Sequence, residues 1–598
     1  MVNADKIDFA DGAFFLELGS RPQASLEGTS TREIQSEKHL PVSFPDFHVS
    51  LSYPSQKAVR TDSSNQVTVV LYGDIYFDKD TATHEILDIL LSRYAAQDVI
   101  AMAQSLNGSF LLCILDRNKN NVFVITDRLN SKTAFLYRSR NKTYVSTSLR
   151  LLPTRKVDPA GCALYLSNTF IFGNRTVLRD VSTLQRASVY CLSSRDLEVT
   201  QYWDYALSDL AAGLADDEAI AQLSRLMRTA TRRRVPGKGN VFVSLSGGTD
   251  SRAVLGLLLE EVPKDRLIAF SYGDPSDEDV SVAKEVASTS GIYHEYARFG
   301  GDLLATIKRN GKLNEGKLPF YTHGVDGICQ LADRFGADDV LFVADLSVQR
   351  GMANFRDLDE VLSRGIQIHL PIGVPSYYSL GNHRATLIRD TLEDDLRQLK
   401  QRCAHLTHVQ DLHDFLFVDQ RTANMLLPWR QFHAGRFVTV ANPLLDNDIV
   451  DFNRSLARAH RLDKSLHRAT TQSMFPALCA MKFGRTGVTN EYVHRLLWKQ
   501  REEIFKWLAT TDSALDELLP PDLVQVAFID ATEAIGLGAL HVPGRLSGIL
   551  NRLRRKRLQY RLARGRLGGT TSGTAVALPA LGAEQVELML SLRHFLAT

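Results

Sequence analysis

The run Asn240-Val-Phe-Val-Ser-Leu245, Ser246-Gly-Gly-Thr-Asp-Ser-Arg252, Ala253-Val-Leu-Gly-Leu-Leu-Leu-Glu260 constrains the fold more than any other part of this chain. Its first part is an apolar run that reads as a buried strand, and its last part reads as a helix by length and leucine content. Between them, Gly247 and Gly248 permit backbone angles closed to other residues and let main-chain N–H groups surround an anion at a helix N-terminus. Ser246 and Ser251 add hydroxyl donors. Asp250 adds a carboxylate that repels phosphate unless a cation such as Mg²⁺ lies between them, which points to a metal-bound nucleotide. The loop reads as a pyrophosphate cradle. It lacks the Gly-Lys-Ser/Thr of a Walker loop and the Gly-x-Gly-x-x-Gly of a dinucleotide fold.

The surrounding texture supports an α/β domain. Ile220, Leu223, Met227 and Ala230 share one helical face, and Asp216-Asp-Glu218 suits the positive end of that helix. Strand, loop and helix then alternate through Leu267 to Tyr272, Ser276 to Thr289 and Val340 to Val343. This predicts a parallel sheet wrapped by helices, with ligands beyond the strands' carboxyl ends. The first two hundred residues read instead as mostly β: Val67 to Tyr72, a hairpin of Gly108 to Asp116 with Val122 to Thr126, and Thr143 to Thr147, with a helix from Ala82 to Ala95. On its own that is an α+β domain. Expected boundaries are 1–205, 206–515 and a basic, helical extension at 516–598.

Composition excludes more than it assigns. Hydrophobic residues make up 44 % of 598 and the formal net charge is +2. That indicates neither disorder nor a general polyanion binder, so no nucleic acid partner is expected. No signal peptide is legible at Met1 to Lys6, and no apolar run reaches the ~20 residues of a membrane helix, so a cytoplasmic protein without membrane contact is expected. The six cysteines are scattered, with no Cys-x-x-Cys, which favours buried thiols over a zinc site or disulfides. Arg552 to Arg566 holds seven arginines and one lysine; it reads as a solvated helix face before the flexible Gly-Gly-Thr-Thr-Ser-Gly-Thr and a last amphipathic helix bearing Val586, Leu590 and Leu592 to Phe595.

The loop resembles the Ser-Gly-Gly-x-Asp-Ser motif of N-type ATP pyrophosphatases, and further segments resemble the asparagine synthetase family in that family's order. Leu106-Asn-Gly-Ser-Phe, Asp116-Arg117 and Thr126-Asp-Arg-Leu look like its glutaminase-type domain, which Tyr202-Trp-Asp closes. Phe270-Ser-Tyr-Gly, Ser276-Asp-Glu and His294 look like the second strand region of its synthetase domain. Pro443-Leu-Leu-Asp446 with Ile449-Val450, and then Lys464 to Arg468, resemble its later segments. The resemblance implies a degenerate N-terminal-nucleophile (glutaminase-like) domain followed by an adenine-nucleotide α-hydrolase-like synthetase domain that uses ATP and Mg²⁺. It places nucleotide on Leu245, Ser246, Gly247, Gly248, Thr249, Asp250, Ser251, Phe270, Ser271, Tyr272 and Gly273.

The departures from the family pattern narrow the expectation. Val2 stands where the family's glutaminases carry a nucleophilic cysteine, so glutamine hydrolysis is not expected. The family's Gly-Glu-Gly-Ser-Asp-Glu loop is replaced by Ala344-Asp-Leu-Ser-Val-Gln-Arg-Gly, where Asp345 is a candidate second metal ligand beside Asp250. The family's transition-state lysine maps near Lys482-Phe-Gly-Arg485-Thr-Gly487, making Lys482 and Arg485 the candidate catalytic cations. The branches that activate a carboxylate without making ammonia are the lasso peptide cyclases and the β-lactam synthetases. The first implies a precursor peptide as substrate and leader-peptide-processing proteins as partners. A nucleotide-binding scaffold without catalysis is the alternative of another class. His294 reads as structural, and Asp446 and Asp448 as loop and cap residues.

Overall fold

The computed structural model describes residues 13–20, 39–53, 58–77, 83–168, 170–193, 196–208, 213–273, 277–298, 301–317, 322–352, 354–368, 382–484, 496–517 and 583–597, with isolated positions between 521 and 528. Val2, Ser276, Arg485, Gly487, the arginine-rich run and the linker after it lie outside these residues.

The amino-terminal domain is built on two six-stranded antiparallel sheets. In the strand Gly108–Asp116 both faces are apolar, because both are covered. Leu111, Cys113 and Leu115 enter the core shared with the first sheet, beside Leu16, Leu18, Val49 and Leu51. Leu112 and Ile114 point the other way, onto Leu87 and Leu90 of the helix Thr83–Ala96. The expected hairpin pairs Leu111 with Thr126 and Asp116 with Asn121.

The second domain contains the expected parallel sheet, of five strands among the described residues. Val241–Ser244 lies at its centre, flanked by Leu267–Gly273 and then Tyr293–Arg298 on one side, and by Val340–Phe342 and then Thr439–Ala441 on the other. The helix Asp216–Arg232 buries Leu223, Met227 and Ala230 as its periodicity predicts, and three acidic residues occupy its first turn. No helix among the described residues is long and apolar enough to cross a membrane.

The family-like segments meet where the two domains join. Asp446 caps the helix Asn447–Ser455 by accepting from the Asp448 N–H, and also accepts from Asn107 Nδ2 (3.0 Å) and Arg234 Nη1 (2.6 Å). Arg128 reaches Asp451 at 2.5 Å, and Trp203 Nε1 donates to the other Asp451 oxygen at 3.2 Å. Asp127 is buried. It accepts from the N–H groups of Phe110, Leu129 and Ser131, yet burial pushes its carboxyl up to about 6.

The last helix, Ala583–Ala597, is inserted rather than appended. Met589, Leu590, Leu592, Phe595 and Leu596 join the main core, and a Cβ on Gly311 of the helix Leu303–Asn314 would lie 2.7 Å from the Ser591 carbonyl oxygen. Arg593 is fully buried, and its guanidinium pairs with Asp516 and donates to the Leu508 and Thr511 carbonyls.

Lys317 is fully buried with only Thr183 Oγ1, at 3.2 Å, as partner among the described residues, and desolvation lowers its ammonium to about 8. Below pH 8 the amine is charged in both folded and unfolded chains, so the folded state carries the whole penalty. As pH rises from 8 towards 10.5 only the folded form has lost its proton, and the penalty fades. Lys317→Met is therefore expected to raise the unfolding free energy by about 2–3 kcal/mol at pH 7 and by much less at pH 10. Urea unfolding at the two pH values measures it, and a gain that does not shrink at pH 10 contradicts the account.

Candidate active site

The strand order fixes where a ligand can sit. From Val241–Ser244 the chain first moves outward through two strands on one side, then returns to the other side with Val340–Phe342. The carboxyl ends of these two neighbours flank the point of reversal, which is where open α/β sheets hold ligands. Loops 245–248 and 343–351 leave from those ends.

The first loop is shaped by its own hydroxyls. Ser246 N–H donates to Ser251 Oγ and Gly248 N–H to Ser246 Oγ, each at 3.2 Å, and Ser251 Oγ donates back to the Ser246 and Gly248 carbonyls. The helix Thr249–Glu261 begins at Gly248, which has no side chain to cap it, so its positive end opens onto the loop. Gly247 N–H donates to Asp279 Oδ1 at 3.1 Å, a carboxylate meeting an anion-seeking amide. Burial, with Asp277 and Glu278 close by, pushes the Asp279 carboxyl up. A Cβ at Gly247 would lie 2.5 Å from Gly484 Cα, so only glycine permits this approach.

Leu245 and Phe270 are buried, at 3 % and 1 % exposure, and present only main chain to a ligand; the Leu245 N–H donates to the Phe270 carbonyl. Ser271 Oγ lies 2.8 Å from His294 Nε2, giving His294 a partner inside the sheet. Gly273 ends the strand at φ +141°, and its carbonyl accepts from Tyr296 Oη.

Asp250 is the electrostatic centre. One oxygen pairs with Lys464 Nζ, and the other lies 3.3 Å from His467 Nε2. Burial alone would raise this carboxyl, but His467 and Lys464 outweigh burial and hold it well below the usual carboxylate range. Arg350 stands close enough to interact with the same charge; its guanidinium stacks 4.1 Å from the Phe417 ring and has no ion-pair partner among the described residues.

Backbone strain assembles this cluster. Gln349, Asp463 and Lys464 all have positive φ, at 58°, 45° and 57°. Such angles in non-glycine residues persist only where surrounding contacts over-determine them, and they gather at functional sites. Gln349 supplies those contacts: its carbonyl accepts from Lys464 N–H (2.9 Å), its Oε1 from His467 N–H (2.9 Å), and its Nε2 donates to Asn453 Oδ1 (2.6 Å).

Asp345, expected as a second metal ligand, is in a bidentate pair with Arg430, at 2.7 and 2.8 Å. Both its oxygens are committed, so it does not fit that role. No group of three or more metal-ligating side chains occurs among the described residues. Asp250, whose oxygens also face Lys464 and His467, would hold one corner of a Mg²⁺ shell by exchanging its Lys464 pair for the metal, with phosphate oxygens and water completing the shell.

Lys482 is mostly exposed and its Nζ pairs with Glu278 at 2.5 Å. Its segment is nonetheless tied to the cradle. Buried Arg252 donates to the Leu478, Met481, Lys482 and Gly247 carbonyls, and Gly484 N–H donates to the Gly247 carbonyl at 3.2 Å. Residue 485 follows directly. The sequence pattern does not single out Arg350, Gln349, Lys464 and His467 as site residues; the signals were the replaced loop from Ala344 to Gly351, which holds Gln349 and Arg350, and the family-like run from Lys464 to Arg468.

Fold and site together define a two-domain protein: an antiparallel amidotransferase-type domain joined to a doubly wound domain with an anion-cradling loop. Residues 66–203 match the model of the glutamine amidotransferase domain, and residues 222–325 match that of asparagine synthase. The chain is similar to a putative glutamine-hydrolysing asparagine synthetase 2 of Methanocaldococcus jannaschii, 23 % identical over 258 residues, covering 40 % of this chain and 49 % of the relative. It is also similar to the amidase chry2 of Gibberella zeae (24 % over 280 residues, 41 % of each) and to the glutamine-hydrolysing asparagine synthetase 3 of Bacillus subtilis (22 % over 233 residues, 35 % and 36 %). The matches span about half or less of these relatives' length. Two stretches that together make up less than half of the chain are thus similar to the glutamine amidotransferase and asparagine synthase domains.

Proposed function

We propose that this protein is an ATP-dependent amide ligase that activates a carboxylate as its adenylate and closes an amide bond within one peptide, as a lasso peptide cyclase does. The observation that carries the nucleotide assignment is the uncapped helix at Gly248 beside an ionised Asp250 that is flanked by Lys464, His467 and Arg350. A substrate carboxylate oxygen attacks the α-phosphorus, the bond to the β-phosphate breaks, and pyrophosphate leaves. The substrate amine then attacks the acyl carbon, the bond to AMP breaks, and the nitrogen gives up a proton.

The cradle N–H groups orient the phosphates, and Lys464 and Arg350 offer positive charge to the leaving pyrophosphate. Mg²⁺ held on Asp250 would neutralise phosphate charge. Lys482, on the segment seated at Gly247, or Arg485, outside the described residues, supplies the cation for the oxyanion of amide formation. Holding amine and acyl group in one molecule replaces a bimolecular step, worth about 7–11 kcal/mol at best.

An internal amine is favoured by the thiols of the first domain. Burial pushes the Cys113, Cys162 and Cys191 thiols up, so none of the three is an activated nucleophile. A β-lactam synthetase would run the same two steps on a small β-amino acid. A scaffold without catalysis is favoured by one observation, the closed Asp250–Lys464 pair.

The test is mass spectrometry of candidate precursor peptides incubated with the protein, ATP and Mg²⁺. The expected product weighs about one water less than the linear peptide, with AMP and pyrophosphate formed in step. Turnover of β-amino acids but of no peptide moves the assignment to the β-lactam branch, and absence of pyrophosphate with every substrate supports the scaffold. In the same assay, labelled glutamine is expected to yield no glutamate above a blank.

A further inference from the structure

The amides of Ser246, Gly247 and Gly248 form the turn of the cradle, and the loop's own hydroxyls take the first and the last: Ser246 N–H donates to Ser251 Oγ and Gly248 N–H to Ser246 Oγ. The amide between them is used differently. Gly247 N–H donates to Asp279 Oδ1, in the first turn of the helix Glu278–Ser290. The chain thus sets one of its own carboxylates on an amide suited to a phosphate oxygen.

Electrostatics hold this carboxylate poorly. Burial, with Asp277 and Glu278 beside it, pushes the Asp279 carboxyl up, and it has no ion-pair partner among the described residues. Packing keeps it in place instead. A Cβ at Gly484 would lie 2.5 Å from Asp279 Oδ1, so the segment Lys482–Gly484 closes against it, tied to the loop by Gly484 N–H on the Gly247 carbonyl. Glu278, on the same helical turn, takes Lys482 Nζ at 2.5 Å. Two adjacent acids therefore engage a cradle amide and a candidate catalytic cation.

Asp279 and a phosphate oxygen cannot share one N–H, and their charges repel. We propose that Asp279 is a built-in competitor for the phosphate site: nucleotide and pyrophosphate bind by displacing it from Gly247 N–H, and its return favours pyrophosphate release. The proposal rests on the reading of the loop as a nucleotide cradle, and adds the group that sets its affinity. A site open for only a fraction of the time binds more weakly by that fraction. A hydrogen bond from an amide to a charged acceptor corresponds to a factor of roughly ten or more.

Calorimetric titration of the full chain with ATP, inorganic pyrophosphate or adenosine, each with Mg²⁺, tests this in the parent, Asp279→Ala and Asp279→Asn. The alanine variant is expected to bind ATP and pyrophosphate about tenfold more tightly. Asp279→Asn keeps an acceptor for the amide without the charge, so its affinities should lie between those of the parent and Asp279→Ala. Adenosine carries no phosphate and should gain nothing. Glu285→Gln, which removes an exposed acid from the same helix, should stay within twofold of the parent for every ligand. Equal or weaker binding of ATP and pyrophosphate in Asp279→Ala overturns the proposal and leaves the nucleotide reading standing; weaker binding would make the carboxylate a partner of the bound metal. A matching gain for adenosine overturns it as well, because nothing then ties the gain to phosphate. If neither ATP nor pyrophosphate binds the parent or either variant, the nucleotide reading falls and the proposal falls with it.

Discussion

Asp250→Asn is expected to lower pyrophosphate release by about 10²–10³-fold while leaving the protein folded. The substitution keeps the shape of the side chain but removes the one negative charge facing Lys464 and His467. Lys464 then lacks its carboxylate partner, and Arg350, which also feels Asp414 and Asp463, loses one of the negative charges around it. ATP itself becomes their partner, so nucleotide should bind at least as tightly while the reaction slows. A fall in kcat with an unchanged or lower KM is the signature sought. Because Asp250 and Lys464 act as a unit, the double variant Asp250→Asn/Lys464→Met should be little slower than the worse single variant. The Asp250 carboxyl sits far below its ordinary range, so this group adds no step to the pH–rate profile between about pH 4 and 8. Full activity in Asp250→Asn would remove the cradle from the mechanism.

The second large effect is expected at Arg252. It is fully buried, at 0 % solvent exposure, and its guanidinium stacks 4.0 Å from the Phe483 ring while serving four carbonyl oxygens. Arg252→Met keeps the apolar stem and leaves those carbonyls without their donor. At about 1–3 kcal/mol for each buried group, less whatever water recovers, the loss of stability should be on the order of 3 kcal/mol. The segment carrying Lys482 then loses its seat against Gly247, so amide formation should suffer more than adenylation. Thermal unfolding and the ratio of AMP formed to peptide closed measure the two parts. An unchanged unfolding midpoint would show that the buried guanidinium holds nothing in place.

The sequence made legible whatever depends on local pattern. The strand, glycine loop and helix from Asn240 to Glu261 formed as read, because an apolar run, two glycines and a leucine-rich stretch act over a few residues. The parallel sheet followed from alternation. The pairing of Asp250 with Lys464 was not legible, since it joins loops far apart in sequence and rests on left-handed backbone at Asp463 and Lys464. Local charge reasoning gave Asp250 to a metal, and the family resemblance set Asp345 beside it; the structure pairs Asp250 with Lys464 and Asp345 with Arg430. Nor could pattern reveal that Asn107, Arg128, Trp203 and Asp446, met as family-like fragments, would converge on the contact between the domains. Arg485 and the arginine-rich run lie outside the described residues.

The inserted helix Ala583–Ala597 has a consequence for how the protein is made. It fills space against the helix Leu303–Asn314, which leaves the ribosome far earlier. At synthesis rates of about 5–20 residues per second, the gap between the two is on the order of tens of seconds. Throughout that interval the nascent second domain exposes the apolar surface that Leu590, Leu592 and Phe595 will cover. The first domain can complete its sheets early, but the second waits on its final segment, and a prematurely terminated chain would present that uncovered surface to chaperones and proteases.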